Sequence, residues 1–161
     1  MKFADLKSGY RPREKRVTLV LDGALLAEHE ALSEQLADAL AARRTSLGDS
    51  GPTALAEQVE QVEAALAAST CEFVLVGIGR NAYRQLQAAH TDLDTDSIRM
   101  DDYIPALLRA TIRQPEDVDV DWLMDNLSLG QIDELFGAAF AACREVDRVP
   151  FNPLASAQTR D

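Results

Sequence analysis

The chain has few of the residues from which small functional sites are usually built. Its only two cysteines, Cys71 and Cys143, are far apart in sequence. That spacing gives neither a disulfide framework nor the paired ligands of a zinc site. Both lie among apolar or small residues and read as buried free thiols in a reducing cytoplasm. Aromatic residues make up only 6% of the chain, so the core is expected to be aliphatic. No apolar run reaches the ~18 residues that suggest a membrane span. The charged N-terminus has no apolar segment behind it, so it does not read as a secretory signal. G-x-S-x-G, H-E-x-x-H and P-loop motifs are missing, and neither His29 nor His90 falls in a motif with a nucleophile. The expectation is a small, acidic, soluble binding protein with no catalytic residues and no cofactor.

Basic side chains become scarce after residue 16. Lys2, Lys7, Arg11, Arg13, Lys15 and Arg16 against Asp5 and Glu14 give residues 1–16 a net charge of +4. The other 145 residues carry 10 basic and 25 acidic side chains, a net charge of −15. Such a body repels phosphate backbones, which argues against nucleic acid as a partner. The division expected is a flexible basic arm over 1–16, one domain over 17–147 and an extended tail over 148–161.

Alanine and leucine dominate what remains, and they favour helix. Val17–Leu21 is a short β-branched run that ends at Asp22-Gly23, a strand followed by a turn or helix start. From Ala24 to about Arg44, Leu25, His29, Leu32, Leu36 and Leu40 recur at helical steps. A second helix, from Thr53 to about Ala68, carries the stripe Leu55, Val59, Val62 and Leu66. The two helices form an antiparallel pair. Glu72–Val76 is a second strand, placed to pair with the first. Helices are then expected over 81–89 and over 103–112, with Pro105 in the first turn of the latter, and around Trp122. Ser128-Leu129-Gly130-Gln131 is a capping-box sequence that opens a last helix. The fold class is mainly α with a minor β element: a helical hairpin flanked by two short strands, then a C-terminal helical cluster.

Two motifs invite a ligand. Gly77-Ile78-Gly79-Arg80-Asn81-Ala82 has the G-x-G-x-x-A form and lies between a strand and a helix, where backbone N–H groups hold a pyrophosphate in dinucleotide-binding folds. The motif also needs a second parallel strand ending in an acidic residue about 20 positions on. An Asp-rich loop stands there instead, so the glycines read as a turn. Asp92, Asp94 and Asp96, and Asp117, Asp119 and Asp121, have the 1, 3, 5 spacing of a calcium loop. Each run lacks the glycine and glutamate that such a loop requires, so no metal site is expected.

Three segments together resemble a known family. They are Arg16–Gly23 leading to Glu28-His29, Phe73–Tyr83 leading to Leu86 and Ala89-His90, and Leu129–Phe140 with Asp133-Glu134-Leu135-Phe136-Gly137, followed by Val149-Pro150-Phe151 and Ala155-Ser156. The pattern is similar to the tail assembly chaperones of long-tailed, siphovirus-type phages of actinobacteria. The Thr91–Asp94 stretch after His90 departs from it. The resemblance implies a protein that binds the tape measure protein, keeps it soluble while tail tube subunits polymerise around it, works in the host cytoplasm and is absent from the finished particle. It extends the partners to a frameshifted longer form of the chain, the tail tube protein and further copies of itself, with no membrane partner. The alternative is a structural virion component such as a head–tail connector or tail-completion protein. Trp122, Phe136, Phe140 and Phe151 are the candidate partner-binding anchors, because large aromatics dominate interfaces.

Overall fold

The β-branched run near the N-terminus and the one after residue 70 form the two long strands of the sheet. In a computed structural model, which describes residues 3–43 and 51–145, β1 (Glu14–Val20) pairs antiparallel with β2 (Thr70–Val76), and Val17 faces Phe73. A short third strand, β3 (Ile112–Gln114), pairs with the other edge of β2. The order β1-β2-β3 is antiparallel throughout. β1 starts at Glu14, inside the segment expected to be a flexible arm, and a short helix, α1 (Phe3–Gly9), precedes it. The tail over 148–161 lies outside the described residues.

The strands alternate, with one side apolar. Val17 and Leu19 of β1, Phe73 and Leu75 of β2, and Ile112 of β3 are buried on one face. The opposite face buries only Val74 and otherwise carries Glu14, Arg16 and Glu72, with Arg16 bridging to Glu14 at 2.7 Å and to Glu72 at 3.0 Å. This one-sided pattern is what an antiparallel sheet shows when a single helical layer covers it. The layer is built from α5 (Met100–Thr111) and α7 (Leu129–Arg144), with α4 (Arg80–Ala89) and α6 (Val120–Asn126) packed beside α5. Leu107, Leu108, Leu135 and Ala139 from α5 and α7 are fully buried against the sheet.

Both ends of α7 are held on β1. At its start, Ser128 Oγ accepts from the Gln131 amide at 3.3 Å, and Gln131 Oε1 accepts from the Ser128 amide at 3.0 Å, which is the capping box the sequence predicts. Gln131 Nε2 also donates to the Val20 carbonyl at 2.9 Å. At the other end, Glu145 pairs with Lys15 at 2.8 Å and Arg13 at 3.0 Å. Those cations, with the Lys15 hydrogen bond foremost, hold the Glu145 carboxyl below its usual range.

Between β1 and β2 the chain makes a helical hairpin, α2 (Gly23–Arg43) and α3 (Gly51–Ala68). Asp22 caps α2 by accepting from Ala24 and Leu25 amides at 3.0 and 3.1 Å. The base is closed by Leu21 N–H donating to the Ser69 carbonyl at 3.1 Å. Beyond that base, α2 and α3 pack chiefly on each other, and none of the buried core cluster of the body comes from residues 23–68.

Pro105 lies one turn deeper than expected. α5 begins at Met100, so Pro105 is its sixth residue and the Asp101 carbonyl receives no i+4 amide. Of the three added residues, Asp101 and Asp102 occupy the first turn, where carboxylates are favoured by the free N–H groups.

The split between body and hairpin predicts unequal sensitivity. Leu107→Ala, in the fully buried layer, should cost roughly 2–5 kcal/mol in denaturant unfolding. Leu36→Ala, half-buried in the hairpin, should cost about half as much or less. Amides of α2 and α3 should exchange faster with solvent than those of α5 and α7; equal protection across all four helices would contradict this division.

Candidate functional site

The glycine motif is the first place to look for a ligand, and its geometry answers a packing need. Gly77 directly follows β2, and its N–H donates to the Arg13 carbonyl at 2.8 Å. A Cβ at this position would overlap the Ala142 carbonyl of α7, coming within 2.9 Å of its carbon. Gly79 caps α4 in extended geometry, with no atom within 4 Å of where a Cβ would stand. In a dinucleotide turn the second glycine makes room for the pyrophosphate. Here the tight position is the first glycine, and a helix backbone occupies the space. β2 has antiparallel neighbours on both sides, so the crevice between parallel strands that such a ligand uses is missing.

The aspartate runs are turns and caps. Asp92 accepts the amides of Asp94 and Thr95 at 2.8 and 3.1 Å, and these bonds hold its carboxyl below the usual range. Asp119 caps α6 by accepting the Trp122 amide at 3.1 Å, and Asp121 pairs with Arg109. Among the described residues no group of three His, Cys, Asp or Glu side chains is placed to hold a metal ion. Arg109 and Asp121 line a wide-open cleft of about 540 Å³ with His90, Arg99 and Asp102. Arg99 lies 3.7 Å from Asp102, and His90 Nδ1 bonds the Leu86 carbonyl at 2.7 Å. Both arginines of the cleft are thus paired with carboxylates.

Of the aromatic candidates, Phe136 and Phe140 meet each other, and no ring contact among the described residues joins Trp122 to them. Trp122 is 48% exposed on α6 and has no ring contact among the described residues. Phe136 is half-buried and meets Tyr103 edge-on at 6.1 Å; Phe140 follows at 6.0 Å from Phe136, and the Arg144 guanidinium lies over its ring at 4.9 Å. Phe136 is thus part of the packing between α5 and α7, Phe140 is half-buried against neighbours on α7 itself, and Trp122 is exposed. Phe151 lies outside the described residues.

The α2–α3 hairpin leaves most of its apolar side chains only half-covered. Its seam is made by Leu25, Leu32 and Leu36 of α2 and Leu55, Val59, Val62 and Leu66 of α3, of which only Val62 is buried. The expected stripe included Leu40, which is instead 47% exposed, with Ala39 in the seam. Four helical turns cover slightly more than 14 residues, so position 39 falls nearer than 40 to the line of Leu25. Leu26, at 42% exposure, stands out on the same flank as Leu40. His29, expected at the edge of a packed stripe, is half-buried there and bonds Glu63 across the seam at 3.2 Å.

Cys71 and Cys143 are half-buried and free, less enclosed than the sequence suggested. Burial still pushes both thiols up, helped at Cys71 by the charge of Asp117. A raised thiol pKa means less thiolate at neutral pH. Both should therefore react more slowly with iodoacetamide in the folded protein than in urea, a difference that narrows as pH rises. Rapid alkylation of the native protein at neutral pH would contradict this.

The glycine geometry gives a second expectation. Gly77→Ala should lower stability by up to about 3 kcal/mol, from the forced displacement of α7. Gly79→Ala should cost less than about 1 kcal/mol, the scale of an N-cap change. Equal losses at the two glycines in chemical denaturation would contradict the packing role of Gly77.

No protein-family model, curated protein or solved structure matches the chain.

Proposed function

We propose that this protein is a phage tail assembly chaperone that binds the tape measure protein, keeps it soluble and supports polymerisation of the tail tube around it. The observation that carries this reading is the α2–α3 hairpin. It projects from a body whose core is complete without it, and its leucines and valines are mostly half-covered. A two-helix unit of this kind gains by accepting a third helix along its seam, the helix-in-groove mode of peptide capture. A long helical client offers such segments repeatedly. The net charge of −11 helps keep a complex with an apolar client in solution.

The segments that resemble tail assembly chaperones fall at structurally demanding places. One runs through β1 into the cap of α2; another covers β2, the Gly77 turn and α4; the third is most of α7. They account for the body that carries the hairpin, and the hairpin is the surface left for a client.

Co-expression with a candidate tape measure protein tests the proposal. The client is expected in the soluble fraction with this chain and in the pellet without it, and the chain is expected to be missing from purified particles. A client equally insoluble in both cases would sink the proposal. Stoichiometric amounts of this chain in particles, measured by mass spectrometry, would favour a head–tail connector or tail-completion protein instead.

A further inference from the structure

The hairpin has a chemical bias that narrows what can dock on it. From Gly23 to Ala42 and from Gly51 to Ala68 there is no Lys or Arg, while Glu28, Glu30, Glu34, Asp38, Glu57, Glu60 and Glu63 are all present. Arg43 and Arg44 follow only at the end of α2. The acids are not spread evenly with respect to the exposed leucines. Leu26, Ser33 and Leu40 recur at seven-residue steps and so lie along one flank of α2. Glu30 sits between the first two, four residues after Leu26 and three before Ser33. His29, also within one turn of Leu26 and Ser33, bonds Glu63 of α3, which brings Glu63 and its neighbour Glu60 to the same flank. Leu26, Leu40, Glu30, Glu60 and Glu63 are all exposed. The flank therefore carries two exposed leucines, one on either side of Ser33, bordered by carboxylates on both helices.

We infer that this flank of the α2–α3 hairpin is a docking groove for an amphipathic helix whose apolar stripe is bordered by lysine or arginine. The inference rests on the reading of the hairpin as the client-binding surface and adds the chemistry of the segment bound. Leucines on the incoming helix cover Leu26 and Leu40, and its cations meet Glu30, Glu60 and Glu63. A second copy of this chain offers the same flank, so pairing two hairpins sets these carboxylates against one another, and juxtaposed like charges are costly. Phosphate-bearing surfaces are disfavoured for the same reason. Complementary charge also speeds encounter and selects the segment of a long client that docks.

The test uses the full chain and two designed amphipathic helices about as long as α2, identical in their leucines, one bordered by lysine and the other by glutamate. Fluorescence anisotropy should show the lysine helix binding at least about tenfold more tightly, and weakening as salt rises. The double variant Leu26→Asp with Leu40→Asp separates docking from general attraction to an acidic protein, because it adds negative charge while removing both exposed leucines. It should lose about tenfold or more in affinity for the lysine helix while its circular dichroism remains helical. Equal binding of the two helices, or undiminished binding by the folded double variant, overturns the inference. So does sedimentation showing a wild-type dimer that the double variant abolishes and the lysine helix does not displace.

The same variant distinguishes this failure from failure of the proposed function. If the wild type and the folded double variant keep the tape measure protein equally soluble, the chaperone reading stands and the groove does not. If neither keeps it soluble while the lysine helix still requires Leu26 and Leu40, the groove stands and the chaperone reading does not.

Discussion

Seven consecutive residue pairs between β1 and β2, from Glu14 with Val76 to Val20 with Thr70, hold the rest of the molecule in place. The inner ends of these strands are 50 positions apart in sequence, and bringing them together has an entropic cost that grows only slowly with the length enclosed. That weak dependence allows a long helical insertion between two paired strands. The pairing also fixes which side chains face inward, since a slip of one residue would turn Val17, Leu19, Phe73 and Leu75 outward. It supplies the surface that α5 and α7 cover, and it anchors both feet of the hairpin at adjacent points, Leu21 and Ser69.

α7 depends on that sheet in a specific way. One side chain, Gln131, serves both its own helix cap and the end of β1. At the far end Glu145 takes up Arg13 and Lys15, and Gly77 lets the last turn approach the end of β2 closely. The segments that carry the resemblance are thus largely the places where helix and sheet meet at close quarters. Such contacts constrain residue type without performing chemistry.

The local features were the legible ones. The hairpin, the two long strands and their pairing, the capping box and the turn at Gly77 follow from periodicity and short-range hydrogen bonding. β3 was missed because three residues, Ile112–Gln114, give no alternation to detect, and only the neighbouring edge of β2 makes them a strand. β1 starts earlier than its apolar run because Glu14 and Arg16 lie on the wet face, where charged residues are compatible with a strand. Leu40 was misassigned because a step of four from Leu36 suits a straight stripe, and across four turns the stripe drifts by one position. Of the aromatic residues singled out, Phe136 packs against Tyr103 of α5 and Trp122 is exposed. The hairpin flank uses leucine and glutamate, which are common everywhere, and only its isolation from the core makes them conspicuous.

That isolation has an electrostatic counterpart. The basic segment at the N-terminus was expected to be a flexible arm, but its end is engaged: Arg13 and Lys15 pair with Glu145, and Arg16 with Glu14 and Glu72. Arg13 and the cations of β1 thus neutralise carboxylates of the sheet and of the end of α7, and the acids between Glu28 and Asp38 and between Glu57 and Glu63 have no Lys or Arg among them. Two helices alone leave much of their shared stripe open to water, so the body must carry most of the stability while the hairpin retains apolar surface. An acidic arm with unfilled apolar contacts, mounted on a body that is complete without it, has its largest remaining gain in association. The sign of its charge restricts that gain to partners that bring cations with their leucines.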